Sequence, residues 1–495
     1  MDNNFTHQIF KFRYYFLVSL ISLITLFSIN NNLKNNISKM DEDEIHTLVW
    51  GTTLGLQNLP TIRVGESTRW MVRVLSPLGK YYMSTKMGGE HYVTGWNYAG
   101  GYYLSAHFHS TDIAKDPNIQ DYVFIMRLMY ATILLISFTL VSFALLRRKQ
   151  RIAALLYSTI PFLSPLTWEA FKIFYTESTL ILCFNAILIS YFYFKNMTRL
   201  YFWSAFLLSF SISTKITGVL FFLPIIYTLY RKDKLGITSL SWKGFVKIEG
   251  FVLLSLIFFG VINVTAQSPN RWVNEMVANV YHYKTGHYET ITTGHWIEVF
   301  SILHIWFLLL PVSIYLIYKS SLQDKFLYYA LSLCAVVMIV NLTSVGFFFP
   351  RNFTTPMVIF SFLIAIGLGE LINQGLKKIA LSFLFASLLS YSFIVIKNYK
   401  SINKDSFAKQ SHSQCNTSTL IDIDEQGFNN PKRLKPMPNK FILSEQENEF
   451  LRYLSGNDCI FVKRIGNNKH YTNYLLLKEY DLSLRKGDIF FFKRK

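Results

Sequence analysis

The chain has 495 residues, of which 51% are hydrophobic and 17% aromatic; only 16% are charged, against roughly a quarter in soluble domains. That composition, with a positive mean hydropathy, excludes an ordinary soluble fold and points to an integral membrane protein. The formal net charge of +19 would suggest nucleic acid in a soluble protein; here the basic residues sit in short runs between apolar segments, a topology signal, and no RNA- or DNA-binding motif accompanies them.

Lys11 and Arg13 precede the first apolar run, which is followed by "NNNLKNN" rather than a small-residue cleavage site. We read an uncleaved transmembrane helix. A span needs ~20 mostly apolar residues. By that rule about eleven spans are expected. They lie near 14–30, 122–146, 152–168, 178–194, 200–213, 216–230, 250–266, 297–318, 326–346, 353–373 and 379–396. The fifth and sixth are short and read either as two tilted helices or as one broken hairpin. Cys183 and Cys334 lie inside apolar runs, as small core residues do.

Every strong basic run falls in an even-to-odd connection: Arg147-Arg148-Lys149-Gln150-Arg151, Lys195 with Arg199, Arg231-Lys232-Asp233-Lys234, Lys243 with Lys247, Lys319 with Lys325, and Lys377-Lys378. The positive-inside rule makes that face, and the N-terminus, cytoplasmic. The other face then carries a long loop, 31–121, a short turn near Trp168–Glu177, a His- and Tyr-rich loop, 267–296, and everything after Lys397. Residues 1–396 form the transmembrane domain and 397–495 a small extracytoplasmic unit. In that tail 398–440 reads as linker, and "CIFVKRI", "YTNYLLLKEY" and "DIFFFKRK" suggest a small α/β module. Cys415 and Cys459, both in the tail, can pair if it lies outside the cytoplasm.

The first outer loop is the richest in chemistry. It opens with Asp41-Glu42-Asp43-Glu44-Ile45-His46, and its 60–85 region, with Arg63, Arg69, Arg73 and Lys80 among apolar residues, suits helices lying along the interface. "DEIH" followed some thirty residues later by "SPLGK" resembles the first lumenal loop of protein O-mannosyltransferases, with its Asp-Glu-Val-His run and later His-Pro-Pro-Leu-Gly-Lys. Leu75 and Ser76 stand where that motif has its first His and one Pro. By extension the chain resembles the GT-C glycosyltransferases, the class that includes the aminoarabinose transferase of lipid A.

The resemblance implies an all-α polytopic membrane fold with a GT-C-like core. It also implies an inverting transfer from a polyprenyl-phosphate sugar to a cell-envelope glycan or glycolipid acceptor outside the cytoplasm. It places Asp43 on the catalytic base position, with Glu44 as the fallback. Lys80, Arg127, Lys215 and Arg351 become candidates for the donor phosphate, and His46, Glu177, His282 and His287 for substrate contacts. The chemistry is coherent: a hydroxyl acceptor needs a carboxylate to take its proton, and a departing phosphate needs cations beside its growing charge.

Plainer readings stand beside these. The acidic run serves equally as solvated surface, Arg127 as a snorkelling helix-end residue, and Lys215 as an anchor between short helices. His282, His287 and His295 with Glu289 can hold a divalent ion, but their irregular spacing in a Tyr-rich loop favours substrate or packing contacts, so no metal or cofactor is assigned. Two other function classes compete. O-antigen ligases and polymerases place their largest outer loop late; here it is the first. Transporters favour mid-helix charges and paired repeats, and the sequence has neither.

Overall fold

The computed structural model describes residues 3–35, 71, 75, 117–172, 176–233, 242–262, 305–320, 322, 324–343 and 350–402, and five strands between 418 and 494. Twelve helices are used below: α1 Asn3–Asn35, α2 Pro117–Arg147, α3 Arg151–Tyr157, α4 Pro165–Lys172, α5 Thr176–Tyr193, α6 Met197–Thr214, α7 Phe222–Asp233, α8 Trp242–Ile262, α9 Leu310–Lys319, α10 Lys325–Thr343, α11 Thr354–Glu370 and α12 Lys377–Ile402. Short 3-10 turns, Ile160–Leu163, Ile216–Phe221, Ile305–Leu309 and Pro350–Phe353, precede α4, α7, α9 and α11.

Six stretches among the described residues are long and apolar enough to cross a membrane: Phe12–Leu33, Phe124–Arg147, Thr176–Tyr193, Lys325–Thr343, Arg351–Glu370 and Lys377–Ile396. They coincide with six of the eleven expected spans. The chain is an integral membrane protein built from helices. Three further apolar stretches, Arg151–Leu163, Thr217–Tyr230 and Trp306–Lys319, are shorter. The expected third span, 152–168, is not one helix. Pro161 and Pro165 remove backbone donors and break it into α3, a 3-10 turn and α4. The fifth and sixth expected spans are separate elements, divided at Lys215, whose backbone is extended.

α11 is the axis of the bundle: every residue from Thr354 to Leu368 is buried. α1 and α12 lie at its edge, with Phe12, Phe16, Phe27, Phe385 and Phe393 facing outward, as lipid-exposed residues do. Because apolar burial gives no drive between helices already in lipid, close packing and interhelical hydrogen bonds hold the bundle. Ser22 bonds Thr139 at 2.8 Å, Thr25 bonds Tyr391 at 2.6 Å and Thr159 bonds Ser387 at 2.7 Å. Deep in the bundle the Tyr157 hydroxyl donates to Asn185 Oδ1, and Asn185 Nδ2 donates to Ser137 Oγ. Gly367 lets α11 meet α9, since a Cβ there would lie 2.5 Å from the Ser313 backbone. Cys183 and Cys334 are buried free thiols, small core residues as expected.

The contacts sort the helix ends into two sets. At one end Asp324, in the α9–α10 connection, pairs with Arg148 of the α2–α3 turn and accepts from the Tyr191 hydroxyl near the end of α5. Arg148 also lies over the rings of Phe192 and Tyr191. These are three even-to-odd connections, so the phase of the basic runs is a real clustering in space. α1 and α12 both start at this basic end and run parallel, which is why Thr25 and Tyr391, at similar depth, meet. Their far ends, Asn35 and Ile402, therefore leave at the opposite end.

The tail contains a five-stranded sheet in the order β2-β1-β3-β5-β4. β1 is Ser418–Asp424, β2 Asn439–Phe441, β3 Cys459–Ile465, β4 Tyr480–Lys486 and β5 Ile489–Arg494. β1 pairs parallel with β2 and β3, with Ile421 beside Val462, while β5 runs antiparallel to β3 and β4. "CIFVKRI" and the core of "DIFFFKRK" are strands, as expected; of "YTNYLLLKEY" only Tyr480 lies in a described strand. The linker reading of 398–440 is corrected: it contains the end of α12, all of β1 and the start of β2. The run Thr419-Leu420-Ile421 carries the β-branched residues that favour a pleated ladder, and its Asp and Ser neighbours disguised it as loop. The connections that would hold helices of an α/β module lie outside the described residues, as does Cys415.

Candidate functional site

The end of the bundle opposite the basic turns holds a buried ionic cluster. Its first member is Glu177, second residue of α5, where a carboxylate is favoured by the positive end of the helix dipole. The Thr176 hydroxyl donates to Glu177 Oε2 at 3.0 Å. Its second member is Lys215, at the C-terminal corner of α6. Lys215 Nζ donates to Glu177 Oε1 at 2.8 Å and to Asn352 Oδ1 at 2.9 Å. Asn352 belongs to the 3-10 turn that leads into α11. Three separate elements thus converge on one ammonium. The side chains are 5% exposed for Glu177 and 15% for Lys215.

The corner that delivers Lys215 is locked by backbone bonds. Lys215 N–H donates to Ser211 O, and Gly218 N–H donates back to Lys215 O. Ser211 Oγ bonds Gly218 O at 3.2 Å. The approach is so close that a Cβ on Gly218 would lie 2.2 Å from the Ser211 carbonyl oxygen. On the α11 side, Thr354 Oγ1 donates to Arg351 O, and Thr355 Oγ1 to the Glu177 carbonyl. These bonds tie the turn carrying Arg351 and Asn352 to the start of α5.

The Glu177 carboxylate lies within the field of both Lys215 and Arg351, so one buried negative charge faces two positive ones. Arg127 is a further buried cation, on the neighbouring helix α2. It is 2% exposed on α2, one turn ahead of Tyr130, whose hydroxyl meets Thr179 beside Glu177. A snorkelling side chain would reach water; Arg127 instead is enclosed by helices. Such an arrangement can hold an anion. Among the described residues no group of three His, Cys, Asp or Glu could hold a metal ion.

Of the residues singled out from the sequence, the structure brings Glu177 and Lys215 into contact, with Arg351 in electrostatic reach and Arg127 on the neighbouring helix face. Asp43, Glu44, His46, Lys80, His282 and His287 lie outside the described residues. Asn352, Thr176 and the Tyr130–Thr179 pair escaped the sequence reading. Only Asn352 left a signal, a polar residue beside Arg351 at the mouth of an apolar span.

No family model matches the chain, and no curated protein does. Two solved structures are similar along nearly its whole length. ArnT from Cupriavidus metallidurans in the apo state shares 12% identity at a TM-score of 0.48, covering 96% of this chain and 97% of that one. ArnT from the same organism bound to undecaprenyl phosphate shares 11% identity at a TM-score of 0.47, with the same coverage.

Proposed function

We propose that the chain is a GT-C-like, inverting glycosyltransferase. It moves a sugar from a polyprenyl-phosphate donor to a cell-envelope glycan or glycolipid acceptor on the extracytoplasmic face. The observation that carries this reading is the pair of cations, Lys215 and Arg351, at Glu177, with buried Arg127 on the neighbouring helix, at the end of the bundle where α1 finishes. Asn35 ends α1, eight residues before Asp43. The chain thus leaves α1 at the end of the bundle that holds the cations. With the basic turns cytoplasmic, the cluster, the first loop and the tail after α12 are all extracytoplasmic.

In the proposed reaction the Asp43 carboxylate takes the acceptor hydroxyl proton as that oxygen attacks the anomeric carbon. Attack from the face opposite the phosphate inverts the centre. The bond to the phosphate oxygen breaks, and the growing negative charge is met by Lys215, Arg351, Arg127 and Lys80. Glu177 and Asn352 hold the Lys215 ammonium in place rather than touching the reacting atoms. His46, His282 and His287 supply substrate contacts. Glu44 points about 100° from Asp43 if both are helical, so only one faces the substrate.

The test is transfer by the purified protein from a panel of polyprenyl-phosphate sugars. Asp43→Asn keeps the shape and removes the basicity. It is expected to lower turnover by at least ~100-fold, the lower end for loss of a general base, whereas Asp41→Asn and Glu42→Gln do little. Wild-type turnover by Asp43→Asn would overturn the assignment.

A further inference from the structure

A second cluster lies at the other end of the bundle. Arg13, in the first turns of α1, and Arg151, at the start of α3, are far apart in sequence yet stack on the same aromatic ring. Arg13 Cζ lies 5.1 Å from the centre of the Tyr14 ring and Arg151 Cζ 5.2 Å from it. Two positive charges are thereby gathered around one ring at the edge of an apolar span. The adjoining turn adds exposed Arg147 and Lys149. Lys149 has a positive φ of 64°, outside the usual range for a side chain of its kind. Arg147 is itself stacked on Tyr193, at 5.1 Å.

Beside the charges, Phe12 is 71% exposed and Phe16 56% exposed, one turn apart on α1. A cationic rim with an apolar wall beneath it matches a molecule that is anionic at one end and hydrocarbon at the other.

We propose that Arg13, Tyr14 and Arg151 form a binding site for the headgroup phosphate of an anionic phospholipid, with its acyl chain along Phe12 and Phe16. Guanidinium groups suit a phosphodiester because they offer paired N–H donors to its oxygens. The ring orients them: stacking holds both planar groups beside the bilayer surface instead of letting them spread into water. The site lies at the opposite end of the bundle from the Glu177 cluster, and it stands whether or not sugar transfer is the activity.

The experiment reconstitutes the full-length protein in nanodiscs of phosphatidylcholine and phosphatidylglycerol. Native mass spectrometry then counts the lipid retained. Wild type is expected to keep phosphatidylglycerol in preference to phosphatidylcholine. A basic residue near an anionic lipid contributes about 1 kcal/mol, or about fivefold, so Arg13→Gln/Arg151→Gln is expected to lose more than tenfold in that preference. Arg13→Gln alone, at an exposed position, loses about fivefold and keeps the test open if the double variant does not fold. Lys247→Gln, also at the basic end but on α8, leaves the preference unchanged. Undiminished preference in the arginine variants, or an equal loss in Lys247→Gln, would overturn the site. Displacement of the retained phosphatidylglycerol by inorganic phosphate added before release would overturn the assignment to a lipid.

Discussion

Replacing Glu177 by Gln removes one charge from the buried cluster without changing its shape. At 2.8 Å the attraction between Glu177 and Lys215 is about 6 kcal/mol for an effective dielectric constant near 20. Most of that offsets the several kcal/mol lost when each ion left water. The pair is therefore worth little as a pair, while breaking it is expensive: an ammonium only 15% exposed loses its carboxylate and keeps the bond to Asn352. The expected loss is about 3–5 kcal/mol of stability for Glu177→Gln and a similar amount for Lys215→Met. The double variant removes both charges and should lose clearly less than the sum, with a coupling of roughly 2–3 kcal/mol. Thermal unfolding of the four proteins in one detergent supplies the cycle. Additive losses would refute the argument, because they would mean that the two side chains act independently and that the ion pair does not organise this end of the bundle. Asn352→Ala should lose about 1.5–3 kcal/mol, the range for a hydrogen bond to a charged group.

Lys215→Ala and Arg351→Ala should each lower donor turnover by well over tenfold, since one charge-assisted hydrogen bond is worth roughly 1.5–3 kcal/mol; near-normal transfer by either would remove it from the phosphate site. Gly218→Ala puts a methyl against the Ser211 carbonyl oxygen and should displace Lys215, seen as a loss of transfer equal to that of Lys215→Ala; full activity would show that the corner can shift without cost. A phosphatase reporter fused after residue 400, at the end of α12, should be active in a bacterial host, and activity of a cytoplasmic reporter alone would reverse the orientation.

Much of this architecture is legible in the sequence because the bilayer imposes simple rules. Long apolar runs had to be helices, since no other open structure satisfies its backbone in lipid. The shared phase of the basic runs showed which connections lie together, and Arg148, Tyr191 and Asp324 meet accordingly. The rules fail where local chemistry overrides hydropathy. "PFLSPLTW" is apolar enough to read as span, but its two prolines split it into a 3-10 turn and the start of α4. The tail strand "STLIDID" is polar enough to read as linker, but its ladder is made with neighbours distant in the chain. Glu177 and Lys215 were visible as ionisable groups at span ends; their pairing was not, because 38 residues and two helix ends separate them. Asn352 left only the trace of a polar residue beside Arg351 at a span mouth, because the role of one amide depends on where Lys215 comes to rest.

The two ends of the bundle use their cations in different ways, and burial is the reason. At the basic end the arginines are exposed and stack on rings, where a screened charge keeps much of its hydration and a lipid phosphate can reach it. At the other end Lys215 and Arg127 are enclosed, and charges taken from water must be balanced inside the protein. Glu177 supplies a countercharge to Lys215 at 2.8 Å. In so enclosed a place each charge acts more strongly on its neighbours, and on any anion that arrives, than it would at the surface. Glu177 thus sets both how firmly Lys215 is held and how much positive charge is left for a ligand, so Glu177→Gln should tighten the hold on a phosphate ligand while weakening the fold.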